Sequence, residues 1–211
     1  MRVRIKICGL TRVDDALAAA AAGADAVGLV FTDRSRREVA PAVAAQIVAA
    51  LPPFVCAVGL FVDATSDWVA TVLDQVPLAL LQFSGSETNA ECAAHGAPFI
   101  KAVRVDGPVD GAALAAAYPQ ARGLLLDAAV EGHAGGTGRS FDWRWFPKDP
   151  VRPWILAGGL TVDNVGTAIR ALTPFAVDLS TGVEVAPGIK DHALMRAFCS
   201  AVRGAEHGQA G

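Results

Sequence analysis

Several familiar signatures are missing from this chain of 211 residues. Its four cysteines, Cys8, Cys56, Cys92 and Cys199, form no C-x-x-C pair and have no metal-ligand spacing. No metal is expected, and a reducing compartment would keep all four as free thiols. There is no basic run and the formal net charge is −3, which leaves nucleic acid without a positive surface to bind. Gly, Asp or Pro interrupts every apolar stretch before the roughly 18 residues that a membrane span needs. The opening MRVRIKICGL has charges where a secretory leader would have an apolar segment and a small-residue cleavage site. Together these absences predict a soluble, cytoplasmic protein with no nucleic-acid or membrane partner, and nothing suggests an obligate protein partner. No linker-like stretch divides the chain, and its first turn lacks the G-x-G-x-x-G of a dinucleotide-binding fold.

What is present is apolar and regular. Hydrophobic residues make up 53% of the chain, enough to build one sizeable core. Short apolar runs recur at Arg4–Cys8, Ala26–Phe31, Val55–Phe61, Ala79–Phe83, Phe99–Val105, Gly123–Asp127, Trp154–Gly159 and Ala176–Ser180. Most are continuously apolar rather than alternating, as in parallel strands covered on both faces. Ala-rich segments with helical spacing lie between them, at 11–24, 40–51, 66–76 and 161–172. Thr11, Ser66 and Thr161 are expected to cap helix starts, and Gly23 a helix end. Eight strands alternating with helices predict an α/β protein, a single (β/α)8 TIM barrel over residues 1–203, with 204–211 as a mobile tail.

In such a barrel the active site lies at the carboxyl ends of the strands. The strand-end residues with chemical capability are Cys8, Asp63, Ser84, Arg104, Asp127, Asp178 and Ser180. Cys8 ends the first run and has two readings. A thiol packs like a small hydrophobe, but with a pKa of about 8.5 it also needs little help to act as a base or nucleophile. Lys6, two residues earlier on the same strand face, is either solvated or placed to favour the thiolate. Asp127 closes GLLLD; it is a cap or loop residue, or a desolvated carboxyl that keeps a proton for acid catalysis. The glycine clusters AGGLT (157–161) and STGVE (180–184) are tight turns or, given their position after the seventh and eighth strands, a phosphate cradle. The loop TDRSRREV (32–39) is a solvated charge run or a carboxylate-binding fork. The glycine-rich stretch after Asp127 could be a mobile cover, with His133 read as a solvated loop residue.

The order and spelling of these motifs resemble phosphoribosylanthranilate isomerases of tryptophan biosynthesis. The matching pieces are KICGLT (6–11), GLVF with SRREV (28–39), VGLFVD (58–63), LLLDA (124–128), GGTGRSFDW (135–143), LAGGLTVDNV (156–165) and VDLSTGVEVAPGIKD (177–191). The resemblance implies an Amadori rearrangement of a small phosphoribosyl substrate without a cofactor, with Cys8 as general base and Asp127 as general acid. It implies substrate contacts from Arg37 and Asp178, while the phosphate cradle expected of the two glycine clusters comprises Gly158, Gly159, Ser180, Thr181 and Gly182. Two departures stand out. Ser84 occupies a position where the family often has histidine. Arg36 replaces a common proline, so that two adjacent arginines are candidates for one role. The rival readings are the related isomerase of histidine biosynthesis, whose pattern favours aspartate at the Cys8 position, and a non-catalytic phosphate-binding barrel.

Overall fold

The computed structural model describes residues 2–127, 143–148 and 151–207. Eight parallel strands close into a barrel in sequence order. They are β1 (Arg4–Cys8), β2 (Ala26–Val30), β3 (Cys56–Phe61), β4 (Leu80–Phe83), β5 (Phe99–Arg104), β6 (Leu124–Asp127), β7 (Trp154–Ala157) and β8 (Ala176–Leu179). Every expected strand is present, with ends that move by one or two residues. Closure is made by β1, which pairs with β2 on one side and β8 on the other, with Lys6 opposite Asp178. The helices are α1 (Val13–Ala22), α2 (Pro41–Ala50), α3 (Ser66–Gln75), α4 (Asn89–Ala93), α5 (Gly111–Ala117), α6 (Val162–Leu172) and α7 (His192–His207). A small antiparallel pair, β9 (Glu184–Ala186) with β10 (Ile189–Lys190), precedes α7.

Strand alternation sorts the side chains into two shells. Ile5, Ile7, Val27, Leu29, Leu81, Phe83, Leu124 and Leu126 point outward into the main core beneath the helices. Each such side chain contributes about 1.5–3 kcal/mol on burial. The inward-facing set is smaller: Ile100, Ala102, Leu125, Ile155, Ala157 and Ala176 cluster inside the barrel. Because so many of these residues are small, the interior has room for polar side chains, and Lys6, Gln82 and Asp178 are all buried there.

Two of the expected helix caps are corrected. The cap of α1 is Arg12, without a side-chain bond, because Thr11 instead donates its hydroxyl to the Gly188 carbonyl at 2.6 Å. The cap of α3 is Thr65 rather than Ser66, accepting from the Trp68 amide. Thr161 caps α6 in a reciprocal box with Asn164, and Gly23 ends α1 at φ 98°. The tail expected from 204 begins inside α7, which continues to His207. Arg203 explains the extension by donating to the Val3 carbonyl at 2.8 Å and the Gly23 carbonyl at 3.1 Å. Glu206 accepts from the Val3 amide. His133 and the rest of the loop after Asp127, up to 142, lie outside the described residues.

Candidate active site

The C-terminal mouth of the barrel holds a cavity of about 470 Å³. Cys8 reaches it from β1 and Asp127 from β6, so that β7 and β8 form the short arc between them. Two glycines shape the surroundings of Cys8. A Cβ at Gly28 would lie 2.6 Å from the Cys8 sulfur and 3.1 Å from Lys6 Nζ. Gly9 has φ +75°, and a Cβ there would meet the Arg37 side chain at 2.4 Å. The glycine after the cysteine therefore lets the chain turn and lets Arg37 lie against the strand end.

Beneath the thiol, Lys6 is buried and donates to both oxygens of Asp178, at 2.9 and 3.0 Å. Burial alone would pull the ammonium down, but Asp178, followed by Cys8, outweighs it and the Lys6 pKa rises. Lys6 is thus a fixed positive charge. Burial pushes the Asp178 carboxyl up, offset only in part by Lys6. Burial also pushes the Cys8 thiol up; Lys6 pulls it down and Asp178 opposes that pull. The lysine does favour the thiolate, as its position on the strand allows, yet burial prevails and the resting group is a thiol. Asp127 is more open, at the rim of the cavity. Desolvation by the surrounding walls, followed by the negative charge of Asp178, still raises its pKa, against the pull of Arg104 and Lys6.

The short arc carries the glycine turns. Gly158 and Gly159 follow β7 at φ 85° and 62°, a region costly for other residues. Ser180 and Thr181 line the cavity after β8. Gly182 stands just behind them, where a Cβ would lie 2.2 Å from the Leu160 carbonyl oxygen. The two loops therefore pack backbone against backbone. Beside them Glu184 accepts from Arg37 Nε and Nη2, at 2.8 and 2.7 Å, and from Lys190 at 2.8 Å. The hydrogen bonds from Arg37 and Lys190 hold the Glu184 carboxyl below its ordinary range despite burial.

The structure gathers Cys8, Asp127, Asp178, Gly158, Gly159, Ser180, Thr181, Arg37, Arg104 and Ser84 around one cavity. Arg36 lies outside it on the rim, so of the two adjacent arginines only Arg37 faces the site. The fork of Arg37, expected to await a substrate carboxylate, is engaged by Glu184. Asp63 is also outside, bonded to Ser86 and Arg34. Sequence reasoning missed Glu184, Lys190 and Gln82. The first two sit within STGVE and PGIKD, but nothing in their spacing announces a network with Arg37. Among the described residues no cluster of three His, Cys, Asp or Glu is arranged to hold a metal ion. No helix among them is long and apolar enough to cross a membrane.

Comparison with known proteins agrees with this geometry. Residues 5–201 match the family model described as N-(5'phosphoribosyl)anthranilate (PRA) isomerase. The N-(5'-phosphoribosyl)anthranilate isomerase of Pseudomonas aeruginosa strain LESB58 is 58% identical over 201 residues, 95% of each chain. The crystal structure of phosphoribosyl anthranilate isomerase from Thermotoga maritima superposes with a TM-score of 0.88 at 39% identity, covering 96% of this chain and 99% of its own. A structure of such an isomerase in complex with reduced 1-(o-carboxyphenylamino)-1-deoxyribulose 5-phosphate gives 0.84 at 38% identity, with the same coverage. A matching barrel, a thiol and a carboxyl facing one cavity, and full-length similarity lead to one conclusion: the chain belongs to the N-(5'-phosphoribosyl)anthranilate isomerase family.

Proposed function

We propose that this barrel converts N-(5'-phosphoribosyl)anthranilate to 1-(2-carboxyphenylamino)-1-deoxyribulose 5-phosphate, the isomerase step of tryptophan biosynthesis, by general acid–base catalysis. The observation that carries this reading is that Cys8 and Asp127 open onto the same cavity, with the glycine turns of β7 and β8 on the arc between them. The phosphate seats over Gly158, Gly159, Ser180, Thr181 and Gly182, where backbone amides and the start of a short helical turn suit an anion. The ribose then lies between thiol and carboxyl. The aryl group extends across the mouth toward the β2–β5 arc, with Asp178 below and Arg37 at the side.

The chemistry follows from that seating. Asp127, in its protonated form, gives its proton to the ribose ring oxygen; the C1–O bond breaks and a Schiff base forms with the aryl nitrogen. Cys8, as thiolate, removes the C2 proton, and the electron pair moves into an enolamine that tautomerises to the ketose. Asp127 is left ionised and Cys8 protonated, and exchange with solvent restores both. Each step uses a group able to change protonation near neutrality. The charge of Lys6 favours the thiolate, while Arg37 and Glu184 hold the wall above it. We place the enzyme in the cytoplasm, in keeping with a biosynthetic substrate. The test is fluorescence-monitored turnover of phosphoribosylanthranilate, with the histidine-pathway counterpart assayed in parallel. Turnover of the first supports the reading, and absence of turnover by folded protein overturns it.

A further inference from the structure

The turn that follows β8 departs from the helix starts elsewhere in the chain. Thr65, Thr88, Asp110 and Thr161 precede α3, α4, α5 and α6, and the side chain of each accepts from an amide of its own helix. Ser180 holds the same position before the short helical turn Thr181–Val183, yet its hydroxyl makes no such bond. Serine is among the best capping residues, so its failure to cap calls for a cause. The amides of Thr181 and Gly182, which open the turn, make no hydrogen bond to another described residue.

The cause is Lys190. This lysine is 4% exposed. Its ammonium donates to the Ser180 carbonyl at 3.0 Å, to Ser180 Oγ at 3.3 Å and to Glu184 Oε1 at 2.8 Å. Those contacts use all the protons an ammonium carries. The hairpin that delivers the lysine is itself anchored. The Lys190 amide donates to Asp15 on α1 at 3.2 Å, the Gly188 carbonyl accepts from Thr11, and the Gly188 amide donates to Glu184 at 3.2 Å. A buried lysine is costly unless it is paired and hydrogen-bonded, and here two of its bonds go to one residue on the cavity wall.

We propose that Lys190 is a positioning residue that keeps the Ser180 hydroxyl from capping its own turn, so that the amides opening the turn stay available to the substrate phosphate. The inference rests on the isomerase reading above, which seats the phosphate on this turn. A capping hydroxyl and a phosphate oxygen compete for the same N–H groups. With Lys190 in place, Ser180 Oγ accepts from the ammonium, and its own proton remains for a phosphate oxygen. Without Lys190 the serine is released to satisfy the amides itself, and the phosphate has to displace it. Glu184 balances the charge of the lysine from the other side.

The experiment compares two ligands by titration calorimetry. One is reduced 1-(2-carboxyphenylamino)-1-deoxyribulose 5-phosphate; the other is its counterpart with a free 5-hydroxyl. Lys190→Met is expected to weaken the phosphorylated ligand by about 5- to 30-fold, the fold-change equivalent to a helix cap. It should leave the other ligand within about twofold. The decisive comparison is made in a Ser180→Ala background. With no hydroxyl to compete, adding Lys190→Met there should change the affinity of the phosphorylated ligand by less than about twofold. Lys190→Gln keeps a donor and much of the stem; it should show the same pattern at smaller size, and it serves where methionine prevents folding. In turnover, KM should rise more than kcat falls. Equal weakening of both ligands overturns the proposal. So does a loss of the same size with and without the Ser180 hydroxyl, which would make Lys190 a source of charge alone. Wild-type turnover is scored separately, so failure of the isomerase reading is distinguishable from failure of the Lys190 assignment.

Discussion

At the scale of single residues, the site is a set of groups whose proton affinities have been moved. The folded protein raises both the Asp127 carboxyl and the Cys8 thiol. The reacting state, carboxyl protonated and thiol ionised, contains as many protons as its mirror state, so pH between the two pKa values does not change their ratio. The pH profile of kcat/KM should therefore be a bell whose acid limb belongs to Asp127 and whose alkaline limb belongs to Cys8. Removing Arg104, which pulls Asp127 down, should move the acid limb upward, as steady-state rates across pH will show. Cys8→Ser should lower kcat by at least about 100-fold, because a hydroxyl cannot supply the anion; near-wild-type rates with the same profile would make the thiol a packing residue. Asp127→Asn should abolish turnover and leave the protein as stable or more so at pH 7. A carboxyl with a higher pKa folded than unfolded opposes folding fully above the folded value, and that opposition vanishes below the unfolded value, about 3.9. The gain in Tm should accordingly fade as pH falls through the carboxylate range, and a loss of Tm at pH 7 would contradict the assignment. Cys8 and Asp127 were legible because each ends an apolar run. Glu184 was not, because its partners Arg37 and Lys190 lie on another loop and another strand, and Gln82 was not, because it stands inside an otherwise apolar run.

At the scale of elements, the strands were legible almost to the residue, since a parallel strand buried on both faces is a nearly uninterrupted apolar run. The caps were less so. Thr11 has the right chemistry for a cap, but the carbonyl of Gly188, far along the sequence, competes for its hydroxyl. Local pattern cannot reveal such a competitor. Thr161 has no such rival, and Thr161→Ala should cost about 1 kcal/mol, read as a fall in Tm of about 2–4 °C. A change well outside that range would mean that the box with Asn164 is not an independent unit. On β2, Gly28→Ala should do more than loosen a strand. The added methyl would overlap the Cys8 sulfur and crowd Lys6, so stability should fall by about 1–3 kcal/mol with activity falling further, because the thiol itself must move. Unchanged kcat in that variant would show that the thiol tolerates displacement.

At the scale of the whole molecule, the fold class was legible from the count and spacing of strands, but the way the ring is fastened was not. The extent of α7 depends on Arg203 and Glu206 reaching Val3 and Gly23 at the other end of the chain. Nothing in RGAEH announces that its partners lie in the first 25 residues. The ion pair beneath the thiol has the same character on a larger scale, since Lys6 and Asp178 are 172 positions apart. Its consequence concerns the order in which the protein comes into being. During synthesis Lys6 leaves the ribosome near the start and its carboxylate near the end. The environment of the base is therefore assembled by one of the final pairings of the chain, and a barrel still missing its eighth strand has seven of its strands but lacks the carboxylate that holds Lys6 beneath the thiol. Catalysis in this protein is thereby a report on completed closure.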